Sequence, residues 1–487
     1  MDKKKNVILI SDQGGGCIDS LLDTQLFNIK LVIVPYKKNA DELKKKYNGL
    51  IEDFIWAIPD TNSEFQDMNE SYYDLTYDDI EKYRNSQFKC YRYNTRFITD
   101  DNTNNNIYYT SLRFFLGFFN NNKIDCVISR LVEHGSVADS LIFDIAKNNN
   151  IPVYIFSLSA GFDSNILYTL LDYNNKNFVD LSSIDKSIPN IDEYLSTLNK
   201  NYSNNRILTF PFSKLINKLI HKKNKSFFEC IKWLYLYRIK FYYNYFKKWL
   251  INDLFKIREE TSFSQIIKGN QYHSKLKKYY RKKSFYISDN ENFIFFPLHL
   301  EPEASTMVRA TLSCQLFLIE QIAKVLPNGW YLYIKEHPEQ FNTVQFNKYF
   351  HKSVANFRNI DFYKRVSEID NVKLIKISVP SSVLINKSKA VTSIAGSSLI
   401  ESVVKKKPVI VWGNGCTFIE LLEEVFTIRK LSDLENAINR IKNGYNPQYD
   451  DFSDIIKKYV ISVNYKNFYE VNCTISELFR LVYRDSN

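Results

Sequence analysis

The chain has 487 residues, more than one hydrophobic core usually serves, so we expect two or three domains. Hydrophobic residues make up 45% and charged residues 24%, which is ordinary usage for globular proteins. The net charge of +11 is concentrated in Lys214–Lys283, where 19 residues are basic and four acidic. The remainder carries about −4, which argues against a protein that coats nucleic acid.

Seven cysteines lie scattered along the chain, with no Cys-x-x-Cys pair and no histidine at ligand spacing. We therefore expect reduced thiols in a cytoplasmic protein, with neither a disulfide framework nor a zinc site. The basic start, Met1–Lys5, precedes only about five apolar residues, which is too short for a signal peptide and more typical of a buried strand. No window approaches the roughly 20 apolar residues of a membrane-spanning helix, so any membrane contact is expected to be peripheral.

The first part of the chain alternates short apolar runs with helical segments, a pattern typical of a parallel sheet with crossovers. The predicted strands are Val7–Ile10, Leu31–Val34, Ile51–Ala57, Cys126–Ser129 and Val153–Phe156. The predicted helices are Thr110–Asn120 and Asp139–Lys147. The Asn-rich stretch Asp101–Asn106 is predicted to be a surface loop.

From about residue 165 to 289 the alternation gives way to polar and then basic, aromatic sequence of helical character. Aromatic residues recur there every fourth position and would form one stripe on a helix: Trp233, Tyr237, Phe241, Tyr245 and Trp249. Basic residues around such a stripe suit a membrane surface of anionic headgroups or a lipid-linked acceptor. An amphipathic helix packed on the first domain is the alternative, and the sequence leaves both open.

A second alternating region begins at Phe293–Phe296. Its predicted elements are helix Ser313–Leu326, strands Trp330–Lys335, Val372–Ile375 and Ala390–Thr392, helix Ser397–Val404 and strand Val409–Trp412. The predicted fold class is therefore α/β, with two Rossmann-like domains facing a cleft and a helical basic insert between them. The predicted boundaries are 1–164 for the first domain, 165–289 for the insert, 290–465 for the second domain, and 466–487 for a C-terminal helix that could return to the first domain.

Ligands of such sheets bind at the carboxyl ends of the strands, so polar residues at predicted strand ends are candidates for the site. One group is Lys335-Glu336-His337-Pro338, directly after a predicted strand. Pro338 would end the strand and leave His337 at its exit, facing the crevice. A plain turn with a solvent-exposed histidine is the alternative interpretation.

A second group, Thr392–Ser398, opens the predicted helix that carries Glu401. Gly396 would let the backbone approach a ligand closely, Ser397 or Ser398 would cap the helix, and the free N–H groups with the helix dipole would favour a phosphate. Glu401 lies one turn further, where its carboxylate could accept hydrogen bonds from ribose hydroxyls. An ordinary helix cap with a dipole-stabilising acid is the alternative.

The remaining two groups supply candidates for catalysis. His299, Glu301 and Glu303 follow the first strand of the second region and could orient an acceptor or exchange protons with it. A solvated acidic loop is the alternative there. Glu133, His134 and Asp139 follow strand Cys126–Ser129 in the first region, with Gly135 between them, and would form the opposite wall of the cleft. A surface acid and a loop histidine are the alternative for this group.

Together these groups resemble the capsule polysaccharide biosynthesis glycosyltransferases, the family that includes bacterial Kdo transferases. The likeness lies in Glu-His-Gly with Asp at 133–139, in Phe-Pro-Leu-His with Pro-Glu-Ala-Ser at 296–305, in Lys-Glu-His-Pro at 335–338, and in Gly-Ser-Ser-Leu-Ile-Glu with Lys-Pro-Val-Ile at 396–410. It covers about 125–160 and 290–415 and is strongest in the second block. Two departures, Lys406 before Lys407 and the lack of Pro between Glu133 and His134, leave the exact sugar open.

The resemblance implies a GT-B fold in which the second domain holds the donor nucleotide and the first holds the acceptor. His337-Pro338 resembles the His-Pro motif, and Ser397-Ser398 the paired serines, of GT-B sialyltransferases that grip the phosphate of CMP. Lys335, Gly396 and Glu401 complete the expected donor site. The implied donor is a CMP-activated ulosonic acid such as Kdo, and the implied acceptor is a surface polysaccharide or glycolipid.

No cofactor is expected, and no metal, since the sequence has no convincing Asp-x-Asp pair before a strand end. Asp139 or His134 would deprotonate the acceptor, or Asp139 would act as nucleophile, and inversion or retention stays open. A transferase of CDP-linked polyol phosphate, of the teichoic-acid type, is a second enzyme hypothesis. A basic nucleic-acid-binding protein, acting through Lys214–Lys283, is a third hypothesis of another class.

Overall fold

The structure is a computed structural model, and it describes most of the chain on both sides of a long central gap. The described residues are 3–10, 16–34, 37–51, 55–57, 73–94, 101–130, 133, 136–162, 165–184, 263–301, 310, 312–341, 355–412, 417–464 and 468–485. The predicted aromatic stripe at 233–249 lies outside them, as do His134, Gly135 and Glu303.

The first sheet has a parallel core with the strand order β3-β2-β1-β4-β5, followed by β6, which is antiparallel to β5, and by β14, which is antiparallel to β6. Side chains of β1 alternate between two buried clusters, as a sheet covered on both faces requires. The strands are β1 Lys5–Ile10, β2 Phe27–Val34, β3 Ile55–Ala57, β4 Cys126–Ser129, β5 Val153–Phe162, β6 Asn165–Asp172, the short β7 Asn177–Phe178 that pairs with β6, and β14 Ile461–Asn464.

Helices cover both faces of this sheet. The helices before the central gap are α1 Gly16–Asp23, α2 Lys37–Lys46, α3 Tyr77–Lys82, α4 Arg84–Asn94, α5 Asp101–Asn121 and α6 Ser140–Asn148. The C-terminal helix, α14 Phe468–Asp485, packs against α1 and β2, where Phe479 and Tyr483 contact Phe27 edge to face. The C-terminal helix is therefore part of the layer of helices that covers the first sheet.

The second sheet is entirely parallel, in the order β10-β9-β8-β11-β12-β13. Its strands are β8 Asn292–Pro297, β9 Trp330–Lys335, β10 Val372–Ile375, β11 Ala390–Ser393, β12 Val409–Val411 and β13 Phe426–Thr427. Its helices are α7 Phe263–Lys283, α8 Gln315–Val325, α9 Ile360–Ser367, α10 Ser381–Lys387, α11 Ser397–Val404, α12 Leu431–Lys442 and α13 Phe452–Tyr459, with 3-10 turns at Pro338–Phe341 and Phe418–Leu421.

Both sheets thus have the strand order of a Rossmann fold, and the prediction of an α/β, GT-B-like pair of Rossmann-like domains is confirmed. In this order the second and third strands lie on one side of the first strand, and the later strands lie on its other side. The resulting switch points lie between β1 and β4 in the first sheet and between β8 and β11 in the second. In open α/β sheets, ligands usually bind at such switch points.

Two sequence-based predictions about the first domain are wrong. Asp101–Asn106 is the start of α5 and not a surface loop, since Asp101 lies in the first turn and Asn104 packs inside. The low helix propensity of Asn amounts to only about 0.7 kcal/mol or less per residue, which packing outweighs. The boundary at residue 164 divides a β-hairpin, because β6 is antiparallel to β5 and buries Leu170.

Arg92 of α4 connects the two domains. Its guanidinium lies 3.4 Å from the Ser313 hydroxyl and over the ring of Phe357, at 5.6 Å from the ring centroid. Ser313 precedes α8, and Phe357 precedes Arg358 in the second domain. The helix that borders the first switch point therefore touches the second domain close to the segment that follows β8.

None of the described helices combines the length and the apolar composition that crossing a bilayer requires. Within the same described ranges, no three His, Cys, Asp or Glu side chains are grouped as a metal site would need.

Candidate functional site

The switch point of the second sheet brings together two groups that are about 95 residues apart in sequence. His299 follows β8, and its Nε2 atom lies 3.1 Å from the Ser393 hydroxyl at the end of β11. The backbone N–H of Ala395 donates to the same nitrogen over 3.4 Å. A Cβ atom built on Gly396 would lie 3.8 Å from Cε1 of His299. The imidazole therefore lies against the loop that opens α11.

Helix α11 begins without a side-chain cap. Its N-cap residue is Gly396, with a φ of +106°, which has no side chain to accept a hydrogen bond from the first N–H groups. The prediction that Ser397 or Ser398 caps the helix is wrong, because the left-handed glycine turns the chain directly into the helix and places both serines inside its first turn. Gly396 and Ser397 are exposed, so the positive end of the helix dipole is open to a ligand.

Lys335, the last residue of β9, lies in the same crevice. Its side chain is buried, and its ammonium group donates to the Ser381 hydroxyl over 3.0 Å. Burial lowers the pKa of Lys335 to about 8, although the nearby Glu401 carboxylate opposes this shift. Lys335 at the end of β9 and Glu401 in the helix after β11 therefore influence each other's charge.

The imidazoles of His299 and His337 are both half-buried at this edge. Burial lowers the pKa of each to about 4, with a further contribution from His337 at His299 and from Lys335 at His337. Both rings are therefore neutral at pH 7. A neutral imidazole can donate one hydrogen bond and accept another.

Glu401 lies one turn into α11, as predicted, but its carboxylate is already paired. Its Oε1 atom lies 2.8 Å from the ammonium of Lys405, one turn later on the same helix. Burial raises the pKa of Glu401, while Lys405 and Lys335 act in the opposite direction. A ribose hydroxyl would thus share this carboxylate with Lys405.

An unexpected buried cluster holds the exits of β8 and β9 together. Arg358, which sequence patterns did not single out, is fully buried between Glu301 and Glu336. Its guanidinium lies 2.7 Å from Glu301 Oε2 and 2.9 Å from Glu336 Oε2. Burial raises the pKa of Glu336, and Arg358 counters that effect. Tyr363 also donates a hydrogen bond to Glu336.

Two glutamine side chains fix the same segment through paired backbone hydrogen bonds. Gln315 accepts from the N–H of His299 over 2.8 Å and donates to its carbonyl over 3.3 Å. Gln340 makes the corresponding pair with Glu301, at 2.9 and 2.8 Å. Gln340 belongs to the turn that follows His337, so the two strand exits are bonded directly to one another.

In the first domain, Glu133 is part of a second buried cluster. Lys89 of α4 donates to Glu133 over 2.8 Å, and the Ser140 hydroxyl donates to the same oxygen over 2.8 Å. Tyr173 and Asp144 complete the group, with Tyr173 donating to Asp144 over 2.9 Å. Burial raises the pKa of Glu133, and Lys89 opposes this shift. The carboxylate is therefore held inside the domain.

Asp139 is the N-cap of α6 and is almost completely buried. Its side chain accepts a hydrogen bond from the Ser140 N–H, which satisfies one of the open donors of the helix. The residue lies beyond the carboxyl end of β4, beside the first switch point. The sequence-based alternative of a surface acid is thus wrong for Asp139.

The second domain therefore brings together Lys335, His337, His299, Gly396, Ser397, Ser398 and Glu401, while Glu133 and Asp139 lie in the first domain. Glu301 is present as an ion-pair partner of Arg358. Pro338 opens the 3-10 turn after β9, as a strand-ending residue should. His134 and Glu303 lie outside the described residues, so their placement stays a prediction.

The departure at Lys406 has a local backbone consequence. Lys406 follows α11 with a φ of +52°, a left-handed conformation that glycine adopts without the usual steric cost. The ammonium group of Lys406 donates a hydrogen bond to Gln448 at the surface over 2.9 Å, away from the crevice.

No family model matches the chain, and no curated protein sequence does. Solved structures do align with it over nearly the whole length. A beta Kdo 2,7 transferase, KpsC of Thermosulfurimonas dismutans, is 9% identical, covers 96% of this chain and 99% of its own, and has a TM-score of 0.30.

Two further solved structures are similar over the same extent. The UDP-forming trehalose-phosphate synthase of Burkholderia vietnamiensis is 8% identical, with coverage of 100% of this chain and 98% of its own and a TM-score of 0.30. The UDP-GlcNAc 2-epimerase of Neisseria meningitidis, bound to UDP-GlcNAc, is 13% identical, with coverage of 98% and 100% and a TM-score of 0.25. At these scores the likenesses assign no activity to this chain.

Proposed function

We propose that the chain is a glycosyltransferase whose donor, a nucleotide-activated sugar, binds in the crevice of the second domain. The observation that carries this proposal is the contact of the His299 imidazole with Ser393 and Ala395 at the amino end of α11, to which Lys335 and His337 at the exit of β9 add their electrostatic influence on Glu401 and His299. This combination offers one cation, two neutral imidazoles and a helix dipole to a phosphate. Fixed dipoles of this kind stabilise charge that develops on a leaving group.

In the proposed mechanism the donor phosphate binds at the N–H groups of Ser397 and Ser398, beside His337 and His299. As the bond from the sugar to the phosphate breaks, negative charge grows on the phosphate oxygens. Lys335 and the helix dipole would stabilise that charge without reorganisation, because their own structure already fixes them. Glu401 would bind the ribose. We propose that these groups make a divalent metal unnecessary.

On the acceptor side, Asp139 or His134 would take the proton of the attacking hydroxyl. We assign no proton transfer to Glu133 or Glu301, because each carboxylate is held in a buried ion pair. Asp139 lies at the first switch point, and α4 of the same domain touches the second domain through Arg92. This arrangement supports an acceptor site on the wall opposite the donor crevice.

The donor that we propose is a CMP-activated ulosonic acid such as Kdo, transferred to a surface polysaccharide or glycolipid. The His-Pro and paired-serine motifs at 337–338 and 397–398 support it, since they resemble those that grip CMP. The purified chain should release CMP from CMP-Kdo, but no nucleotide from UDP-sugars, in a mass-spectrometric donor screen. Release from CDP-glycerol alone would favour the polyol-phosphate hypothesis, and release of no nucleotide from any donor would refute the transferase proposal.

We also propose a peripheral contact with anionic lipid at the cytoplasmic face of the inner membrane, through α7 and the basic region before it. Helix α7 contains seven basic residues and no acid, and all seven are exposed. Its opposite face, with His273, Leu276 and Tyr280, packs into the second domain. Such a one-sided helix presents its charge to a surface, where each cation contributes about 1 kcal/mol.

Liposome co-sedimentation tests this contact. Replacing Lys275, Lys278 and Lys282, which share one side of α7, by glutamine should weaken binding to phosphatidylserine vesicles about a hundredfold. The control variant replaces Lys44, Lys45 and Lys123 of the first domain and should bind nearly as well as the wild type. Equal binding of neutral and anionic vesicles by the wild type would refute the proposal.

A further inference from the structure

Arg358 joins the two strand exits on which the proposed donor site depends. Besides its two carboxylate partners, Glu301 and Glu336, it donates from Nη2 to the carbonyl of His299 over 3.1 Å. The guanidinium also lies over the ring of Phe362, at 4.3 Å from the centroid. One rigid, planar group therefore fixes two points of the segment after β8 and one point after β9.

Each of these three points is next to an imidazole of the crevice. The carbonyl belongs to His299 itself, and Glu301 is two residues further along. Glu336 directly precedes His337 and accepts the hydrogen bond of its backbone N–H over 2.9 Å. A shift of the guanidinium would thus move both imidazoles relative to each other.

A contribution to the stability of the fold does not by itself explain why Arg358, Glu301 and Glu336 are buried together. Burying two carboxylates and a guanidinium requires the removal of their water, and apolar residues of similar size often stabilise a fold as well or better. The Arg358 guanidinium, however, donates a directional hydrogen bond to the His299 carbonyl while its charge attracts both carboxylates, which apolar packing cannot do. The cluster is therefore better suited to fixing geometry than to adding stability.

We propose that Arg358 is a positioning residue that sets the separation and orientation of the His299 and His337 imidazoles across the crevice. The inference rests on the proposed function, since there these imidazoles act on the donor phosphate. Neither the sequence motifs nor the positions of the strand ends indicate Arg358 as part of the site. Lysine cannot replace Arg358 in this role, although it keeps the charge.

The first test is Arg358→Lys, which keeps the buried carboxylates compensated. Because a misplacement of about 1 Å can reduce a rate about a hundredfold, kcat should fall by about that factor while KM for the donor changes less. Arg365→Lys is the matched control, because Arg365 lies on α9 in an exposed ion pair with Glu320. Wild-type kcat in a folded Arg358→Lys variant would overturn the proposal.

A double-mutant cycle tests whether Arg358 acts through the imidazoles. In a His299→Ala, His337→Ala background, Arg358→Lys should reduce kcat by less than about threefold, since nothing remains to be positioned. A purely structural role would give the same factor in both backgrounds. Additive effects would therefore overturn the proposal even if each variant is impaired.

A third readout does not depend on catalysis. In NMR titrations of the histidine Cε1–H signals, Arg358→Lys should raise the pKa of His299 and His337 toward the ordinary value, because loosened loops admit water. Arg365→Lys should leave both titrations unchanged. Unchanged titrations in Arg358→Lys would overturn the positioning role. This holds whether or not the wild type transfers a sugar, so the readout separates failure of this inference from failure of the proposed function.

If Arg358→Lys folds poorly, the triple variant Arg358→Met, Glu301→Gln and Glu336→Gln replaces it. This variant removes all three buried charges together and should therefore fold. Positioning requires that it stay about a hundredfold slower than the wild type despite a native melting curve. A folded triple variant with wild-type kcat would overturn the proposal.

Discussion

Two loops of this protein carry a Glu-His pair, one in each domain, and the two glutamates are anchored by different cations. Glu336, before His337, is held by Arg358, which also binds Glu301 from the neighbouring strand exit. Glu133, before His134, is held by Lys89, whose second partner is Asp144 of α6. The first anchor joins two strand exits of one sheet, whereas the second joins a loop to its covering helices.

The difference has a consequence for how each wall of the cleft is built. The Arg358 guanidinium has no exposed side-chain area and a fixed planar geometry, so the proposed donor wall is set before any ligand binds. The side chain of Lys89 is 16% exposed, and a single ammonium group makes the contacts. We expect the proposed acceptor wall to tolerate more adjustment. In both domains, the glutamate that precedes a histidine in sequence forms an ion pair.

The largest expected effect comes from breaking the anchor of the first domain. Lys89→Met should lower the free energy of unfolding by about 3–5 kcal/mol, since it leaves the buried Glu133 carboxylate and the half-buried Asp144 carboxylate without a cation. The loss should be greatest at neutral pH. Without Lys89, the pKa of Glu133 in the folded state rises further. The free energy of unfolding therefore falls as the pH rises from the pKa of Glu133 in the unfolded chain through its folded-state pKa, and below the unfolded pKa no stability is lost by this route.

Urea denaturation at pH 7 and pH 5 measures this effect. The control is Lys82→Met, a lysine of the neighbouring helix that makes no ion pair among the described residues and lies over the Tyr83 ring. A loss below about 1 kcal/mol for Lys89→Met, the value of a surface ion pair, would contradict the anchoring role.

The next effect concerns the donor wall. His337→Ala should reduce kcat/KM for sugar transfer at least about a hundredfold, which is the usual cost of removing one group that stabilises the leaving charge. Steady-state kinetics with the donor identified in the screen provide the measurement. A native melting curve together with wild-type kinetics would remove His337 from the site.

Asp139→Asn probes the acceptor wall and should reduce kcat by a similar factor, because the amide cannot accept a proton. Asparagine is as good an N-cap residue as aspartate, so the melting temperature should stay within about 2 °C of the wild type. Loss of activity with retained stability would separate catalysis from capping. Retained activity would leave His134 as the candidate base.

The smallest expected effect is a pH dependence at Lys335. Since its pKa is lowered to about 8, the ammonium loses its proton above that pH, and donor affinity should fall by up to about tenfold between pH 8 and 9. Calorimetric titration with the nucleotide measures this. Lys335→Arg should bind equally at both values, because a guanidinium stays charged. A pH-independent wild-type affinity would exclude Lys335 from phosphate binding.

Local patterns in the sequence predicted the frame of the site well. Strands β4, β9 and β10 and helix α11 have the predicted bounds, because apolar runs of four to six residues between turns are a direct signal of buried strands. The strand ends then indicated where polar residues converge. The predicted cap at Ser397 or Ser398 is wrong because Gly396 has a backbone conformation that sequence alone does not specify.

The anchors could not be predicted in this way. Arg358 meets its partners across 22 and 57 residues of sequence, and Lys89 lies 44 residues from Glu133. Such pairs obey no periodicity, since tertiary packing alone brings them together. The start of α5 was missed for a related reason: burial of Asn104 and its neighbours outweighs the weak propensity of Asn.

A crystal structure with bound CMP would show whether the crevice beside α11 binds the phosphate of an activated sugar. We expect the phosphate within hydrogen-bond distance of the N–H groups of Ser397 and Ser398 and of the His337 imidazole, with the ribose near Glu401. A nucleotide bound at the β1–β4 switch point of the first domain, with the α11 crevice empty, would contradict it.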